Sequence, residues 1–335
     1  MKTNEKYIKR CIEIAKNGLR NSMPNPSVGA VIVFDDQIIG EGFTSAFGGN
    51  HAEVNAINSV TDKSVLSKST IYVSLEPCSH FGKTPPCCDL IIANNIPNIV
   101  VGLLDSNEKV AGKGIKKLIE ARKNVTVGVL EKECYQSNIR FFTFHEKKRP
   151  FIILKWAETE NGFIAPLTRN EQKPVWITNE FSRQLVHKWR SEEQSILIGT
   201  QTAIDDNPKL NVRDWTGKNP IKIVLDLNER IPKNSHIFDN HTETIIISKN
   251  DIHPDKNLAQ EIANLLYKKD IQSVIIEGGR QTLQTFIDAN IWDEARVFRG
   301  NIFFENGIKA PVLNNKLFSK TKILQDELLI FRNYD

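Results

Sequence analysis

Cysteine is scarce in this sequence, the two signs of charge nearly cancel, and no apolar run is long. Five cysteines in 335 residues, three of them crowded between positions 78 and 88, do not make a disulfide framework and suit a metal or thiol site in reducing surroundings. Against 44 basic residues stand 40 acidic ones, for a formal charge of +4 without a block of five like charges, so nothing demands nucleic acid as a partner. Apolar runs such as Val28 to Phe34 and Ile245 to Ile247 are strand-sized, far short of the roughly 20 residues that cross a bilayer. Met1 to Lys6 lead into a mixed helix rather than a secretory segment. A cytoplasmic protein with no membrane partner is expected.

What is present is an ordinary globular composition, 40% hydrophobic and 25% charged, on a chain long enough for two cores. Ile8, Cys11, Ile12, Ala15 and Leu19 fall on one helical face, predicting a helix over 5–19. Strands follow at 28–34 and 38–42, turned by Asp35-Asp36. Helices at 51–60, 87–94 and 113–122 then alternate with strands at 70–75, 99–103 and 125–129, an α/β layer whose later strands are parallel. The polar segment His145 to Pro150 reads as a boundary, giving domains 1–147 and 150–335. Beyond it, strands from Phe151 and near 175–178, 195–199, 221–225, 243–248 and 273–277 interleave with helices near 179–190, 256–267 and 280–290, a second α/β sheet.

The chemistry concentrates in His51-Ala52-Glu53 and, after the strand ending at Leu75, in Pro77-Cys78-Ser79-His80-Phe81-Gly82-Lys83-Thr84-Pro85-Pro86-Cys87. One imidazole and two thiolates supply three ligands, and zinc held by three protein groups keeps a fourth position for water. Glu53, two residues from the His and off the metal, is placed to carry protons from the water to a ring nitrogen and a leaving amine. The His-x-Glu with Pro-Cys and a later Cys is a deaminase signature, although eight residues rather than two separate the cysteines. That insert carries His80, Lys83 and Thr84, donors suited to a substrate phosphate or ring oxygens. Spacing alone leaves Cys87 and Cys88 both open as the third ligand. Cys11, on an apolar helix face, and Cys134, far along the chain, read as structural.

These residues, with Pro24-Asn25-Pro26 and Val28 to Val33, resemble the N-terminal half of the bifunctional diaminohydroxyphosphoribosylaminopyrimidine deaminase and 5-amino-6-(5-phosphoribosylamino)uracil reductase family of riboflavin biosynthesis. The resemblance implies a cytidine-deaminase-like three-layer α/β/α domain, zinc on His51, Cys78 and Cys87, Glu53 as proton shuttle, and Asn25 with His80, Lys83 and Thr84 toward the substrate. The second half resembles the family's NADPH-dependent reductase, an α/β domain similar to dihydrofolate reductase. Lys155-x-Ala157, Trp176-Ile177-Thr178, Arg190, Thr202 with Asp205-Asp206, Leu210, Arg213, Asp226 and Glu277-Gly278-Gly279 carry it. By this resemblance Ala157, Trp176, Thr202, Asp206, Gly279 and Arg280 contact NADPH. Lys155, Arg190, Leu210, Arg213 and Glu277 contact a phosphoribosyl pyrimidine.

Elementary chemistry supports part of that second set. Gly278-Gly279 ends a strand and opens a helix, so bare N–H groups can face a cofactor phosphate, while Arg190 and Arg213 suit bidentate phosphate clamps. Thr44, Asn161, Pro174, Leu227 and the closing segment Arg299 to Phe304 depart from the family pattern. Pro174 and Leu227 each lose a hydrogen-bonding side chain, which gives substance to the alternative of a deaminase with a degenerate reductase-like domain. A nucleic-acid-editing deaminase lacks the basic, aromatic-lined groove it needs. The expected protein is a homo-oligomeric enzyme acting on a small phosphoribosyl pyrimidine.

Overall fold

The computed structural model describes residues 3–81, 85–105, 112–168, 175–253 and 256–333. It divides into two compact units, Met1–Lys147 and Lys148–Asp335.

The first unit runs α1 (Thr3–Ala15), β1 (Gly29–Phe34), β2 (Gln37–Phe43), α2 (Ala52–Ser59), β3 (Thr70–Val73), α3 (Cys87–Ala93), β4 (Asn98–Val101), α4 (Lys113–Glu120), β5 (Asn124–Val127), α5 (Glu131–Ser137) and α6 (Ile139–Lys147). Its sheet has the order β2-β1-β3-β4-β5. β1 is antiparallel to β2 and β3, and β3, β4 and β5 are mutually parallel. Alternation along β1 explains the layering. Ala30 and Ile32 join one core cluster with Ala56, Ile91 and Leu118 of α2, α3 and α4, while Val31 and Val33 join the opposite cluster with Ile8 and Cys11 of α1 and Phe142 of α6. Each fully buried Val, Leu, Ile or Phe side chain among them contributes about 1.5–3 kcal/mol. Helices therefore cover both faces, and a three-layer α/β/α unit results.

Asp35 and Asp36 turn the hairpin with φ of 50° and 55°, the left-handed pair that a two-residue loop between right-twisted strands requires. α2 is seated directly on that hairpin, because a Cβ on Gly42 would lie 2.3 Å from the Ala56 nitrogen. Only a residue without a side chain lets the helix carrying Glu53 come so close. The start of the polar boundary segment, His145 to Lys147, completes α6, whose buried Phe141, Phe142 and Phe144 hold the helix to the unit.

The second unit runs β6 (Phe151–Thr159), β7 (Phe163–Ala165), α7 (Glu180–Glu192), β8 (Ser195–Gly199), α8 (Thr200–Asp206), β9 (Ile221–Leu225), β10 (Thr244–Ile247), α9 (Leu258–Lys268), β11 (Ser273–Ile276), α10 (Arg280–Asp288), β12 (Glu294–Gly300), β13 (Ile308–Lys309), β14 (Leu317–Ile323) and β15 (Asp326–Arg332). The main sheet has the order β10-β9-β8-β11-β6-β12-β15-β14. Its first six strands are parallel, and β15 and β14 close it by antiparallel pairing. β6, β8 and β11 are buried almost throughout, as parallel strands covered on both faces must be.

The strand expected near 175–178 does not form. The apolar residues Val175 and Ile177 mimic a strand, but the backbone there crosses the end of β12, where a Cβ on Gly300 would lie 2.0 Å from the Ile177 carbonyl oxygen. Packing against that glycine takes the place of strand pairing. No helix of the described residues is long and apolar enough to cross a membrane.

Candidate active sites

Two consecutive features of the first unit meet at one point. β3 ends at Val73 and the chain continues through Glu76 and Pro77 to Cys78, while His51 occupies the extended position just before α2 and Cys87 opens α3. His51, Cys78 and Cys87 bring one ligand atom each to within 4.8 Å of one another. The His51 Nδ1 lies 3.5 Å from the Cys78 Sγ and 3.3 Å from the Cys87 Sγ. A nitrogen at about 2.0 Å and a sulfur at about 2.3 Å from a tetrahedral zinc stand about 3.5 Å apart, so the spacing and the donor chemistry both fit that ion.

Cys88, left open by spacing, points elsewhere. Its thiol is buried and donates to the Pro77 and Gly114 carbonyls at 3.3 and 3.5 Å, and burial pushes it up to about 12. The Cys87 thiol and the His51 ring lower Cys78 by donating to it, against the effect of burial, and so favour its thiolate, the form that binds metal.

Glu53, in the first turn of α2, is only 4% exposed. Burial, with Cys78 close by, pushes its carboxyl up to about 7, where a group gives and takes protons at neutral pH; a cation on the neighbouring ligands works in the opposite direction. Asn25 lies in the turn before β1, its N–H bonded to the Ser22 carbonyl at 2.9 Å, and His80 is exposed on the insert between the two cysteines. Lys83 and Thr84 lie outside the described residues. Thr44, a departure from the family pattern, is committed to the hairpin base: its Oγ1 accepts the Val28 N–H at 2.9 Å. Cys11 and Cys134 are buried in the core of this unit.

In the second unit a cavity of about 930 Å³ opens along the carboxyl ends of β6, β8, β9 and β11, where parallel sheets place their ligand sites. Lys155, Ala157, Thr202, Asp206, Glu277, Gly279 and Arg280 all line it. Two loops meet tightly at its floor: Cβ atoms on Gly278 and Gly199 would lie 2.9 Å from the Gly199 nitrogen and 2.5 Å from the Thr282 hydroxyl. The Gly279 N–H, at the start of α10, donates to the Thr202 Oγ1 at 2.8 Å.

Beside this floor Glu277 binds Arg190 through two bonds of 3.0 and 2.7 Å, with the Lys155 ammonium 3.6 Å away. Burial raises a carboxyl, but Arg190 and Lys155 outweigh it and hold Glu277 down to about 2. Burial, together with Arg190 and Arg213, lowers His187 to about 4, so this imidazole is neutral and accepts the Arg213 N–H at 3.4 Å. His187 escaped the sequence reading. Its position three residues before Arg190 on α7 was the available signal.

Trp176, Arg190, Leu210 and Arg213 are not among the residues that line the cavity. Trp176 is exposed, with the Arg183 guanidinium over its ring at 5.2 Å, and Arg213 is exposed beside Asn211. Leu210 is buried in a core cluster, and its backbone is left-handed at φ 53°. Asp226 is buried and structural, accepting the Thr200 hydroxyl and the Ile231 N–H at 3.0 Å each. Leu227 lines the cavity, and Pro174 lies outside the described residues. Asn161 donates its amide to the Phe304 carbonyl at 2.7 Å, a bond a carboxylate has no proton to make, so two departures from the family pattern are in contact with each other.

Comparison with known proteins covers both units. The family model for the cytidine and deoxycytidylate deaminase zinc-binding region matches residues 1–103, and that for the RibD C-terminal domain matches 150–319. The riboflavin biosynthesis protein RibD of Aquifex aeolicus is 37% identical over 311 residues, which span 88% of this chain and 86% of the relative. The Bacillus amyloliquefaciens protein of the same name is 32% identical over 338 residues, 95% of this chain and 90% of its own. The crystal structure of the diaminohydroxyphosphoribosylaminopyrimidine deaminase/5-amino-6-(5-phosphoribosylamino)uracil reductase of Thermotoga maritima superposes with a TM-score of 0.90 at 35% identity, covering 98% of each chain. With both family models matched in order and relatives aligned along most of its length, the chain belongs to the RibD family of two-domain deaminase and reductase enzymes of riboflavin biosynthesis.

Proposed function

We propose that residues 1–147 deaminate 2,5-diamino-6-(5-phosphoribosylamino)pyrimidin-4(3H)-one and that residues 150–335 then reduce its ribosyl group to give 5-amino-6-(5-phosphoribitylamino)uracil. The observation that carries the first step is the His51, Cys78 and Cys87 cluster, whose N···S distances of 3.5 and 3.3 Å are those of ligands sharing one zinc. Zinc in a three-ligand site supplies the Lewis acidity that makes water a nucleophile near neutral pH. Glu53, buried beside the ligands, takes the proton from that water and passes it to the ring nitrogen and the departing amine. His80, Lys83, Thr84 and Asn25 serve the substrate's polar groups.

For the second step NADPH supplies the hydride, and the protein's task is binding and orientation. Ala157, Thr202, Asp206, Gly279 and Arg280 line one cavity at the strand ends and are assigned to the cofactor, together with Trp176 at the exposed segment. Lys155, Arg190 and Glu277 form a charged cluster at its edge and are assigned to the phosphoribosyl substrate with Arg213 and Leu210. Five free thiols suit a cytoplasmic setting, and a homo-oligomer is the proposed assembly. The test is ammonia release and NADPH oxidation followed separately on the diaminopyrimidine phosphate. Both must occur, in that order; ammonia without NADPH oxidation would instead identify a degenerate reductase.

A further inference from the structure

We propose that Glu76, outside the metal cluster, is the positioning residue for Cys78. The inference rests on the reading that His51, Cys78 and Cys87 hold zinc. Among the described residues α4 begins without a local cap: the residue before it is Gly112, in the left-handed region at φ 74°, with no side-chain hydrogen bond, and the first turn has no acidic residue. Its starting N–H groups are satisfied from far upstream. The Glu76 Oε1 accepts Gly114 N–H at 2.9 Å and Ile115 N–H at 3.3 Å, and its Oε2 accepts Gly112 N–H at 3.0 Å and Asp105 N–H at 3.3 Å. Among the described residues this one buried carboxylate thus takes four backbone donors.

Glu76 is two residues before Cys78, and the turn between them is held from every side. The Glu76 N–H donates to the Leu103 carbonyl at 2.9 Å, fixing the turn to the segment after β4. The Cys88 thiol bridges the Pro77 and Gly114 carbonyls, and the Cys88 N–H donates to the Cys78 carbonyl at 3.1 Å. Space is as tight as the bonding, since a Cβ on Gly114 would lie 2.1 Å from the Pro77 carbonyl oxygen. The start of α4 and the turn carrying Cys78 therefore form one braced piece, with Glu76 as the brace. A thiolate on a turn free to shift by half an ångström would not keep its distance to His51 and Cys87, so the brace sets how tightly the cation is gripped.

Glu76→Gln keeps the shape but turns an NH2 donor toward N–H groups. It is expected to release zinc to a chromogenic chelator about tenfold faster than the unaltered full-length protein at 25 °C, while circular dichroism shows a folded chain. Glu76→Asp, which keeps the carboxylate on a shorter arm, should fall between the two, a rescue that follows charge. NADPH oxidation on pre-deaminated substrate should be unchanged in both. A folded Glu76→Gln protein that releases zinc at the original rate overturns the proposal, even if it melts lower. If that variant does not fold, the rate for Glu76→Asp decides, and an unchanged rate overturns the proposal equally. Unaltered protein that binds no zinc at all would overturn the metal centre itself, a failure separate from that of the brace.

Discussion

The two candidate sites are built in opposite ways. The candidate deaminase centre draws three side chains of rare types to within 4.8 Å, and the chemistry proposed for it resides in those atoms. The reductase cavity spreads over about 930 Å³ and draws on strand ends, loop backbones and glycines, with few atoms that identify it alone. The contrast teaches where failure should be abrupt and where it should be gradual. Losing one ligand of a three-ligand cation leaves no site, whereas losing one wall contact of a large cavity leaves a weaker site.

The largest test is therefore removal of the cation. Chelation, or Cys78→Ser, should abolish ammonia release while NADPH oxidation on pre-deaminated substrate continues, and parallel loss of both rates would break the distinction between the sites. Next in size, Glu53→Gln should retain zinc by elemental analysis yet lose about 10²–10⁴-fold in deamination rate, the usual worth of a general acid–base group. Substantial remaining ammonia production would remove Glu53 from its assigned role.

Glu277 provides an intermediate effect. Its folded-state value of about 2 lies below the ordinary 4.5, so its pairing with Arg190 and Lys155 stabilises the fold above pH 4.5, and that contribution, about 3 kcal/mol, fades as pH falls toward 2. Denaturant melts of the protein and of Glu277→Gln at pH 6 and pH 3 check this: the variant should be less stable at pH 6 and lose less on acidification. Equal losses would show that the cluster is not coupled as drawn. Smallest, Thr202→Val removes one acceptor from the cavity floor and should weaken NADPH binding by about 1 kcal/mol, seen as a roughly fivefold higher KM with kcat little changed. A collapse of kcat instead would mean that the floor behaves like the metal centre.

The same contrast explains what could be read from residues alone. His51, Glu53, Cys78 and Cys87 stand out because zinc chemistry needs those types, and the structure brings His51, Cys78 and Cys87 together; spacing alone left Cys87 and Cys88 open, because the choice depends on which thiol faces the Gly114 carbonyl. The amphipathic helices and the Asp35-Asp36 hairpin were equally legible, since their periods are local. β12, β14 and β15 went unread: β12 finds its partners in β6 and β15, remote in sequence, and β14 is a largely exposed strand of the hairpin it forms with β15. The segment at 175–178 was misread because Ile177 is buried without a strand partner while Val175 stays exposed, a distinction that composition does not contain. At the reductase cavity, Lys155 and Glu277 could be named only through resemblance, as a buried ion pair uses residue types common on any surface.

The bond from the Gly279 N–H to the Thr202 hydroxyl oxygen also governs how that floor meets an incoming anion. With one lone pair occupied by Gly279, the Thr202 hydroxyl keeps its own hydrogen available for an outside acceptor, so a single side chain is both strut and donor. The opening of α10 then presents the N–H groups of Arg280 and Gln281, rather than that of Gly279, to a negatively charged guest. Docking of an anion there is an addition to a wired scaffold rather than a rewiring of it.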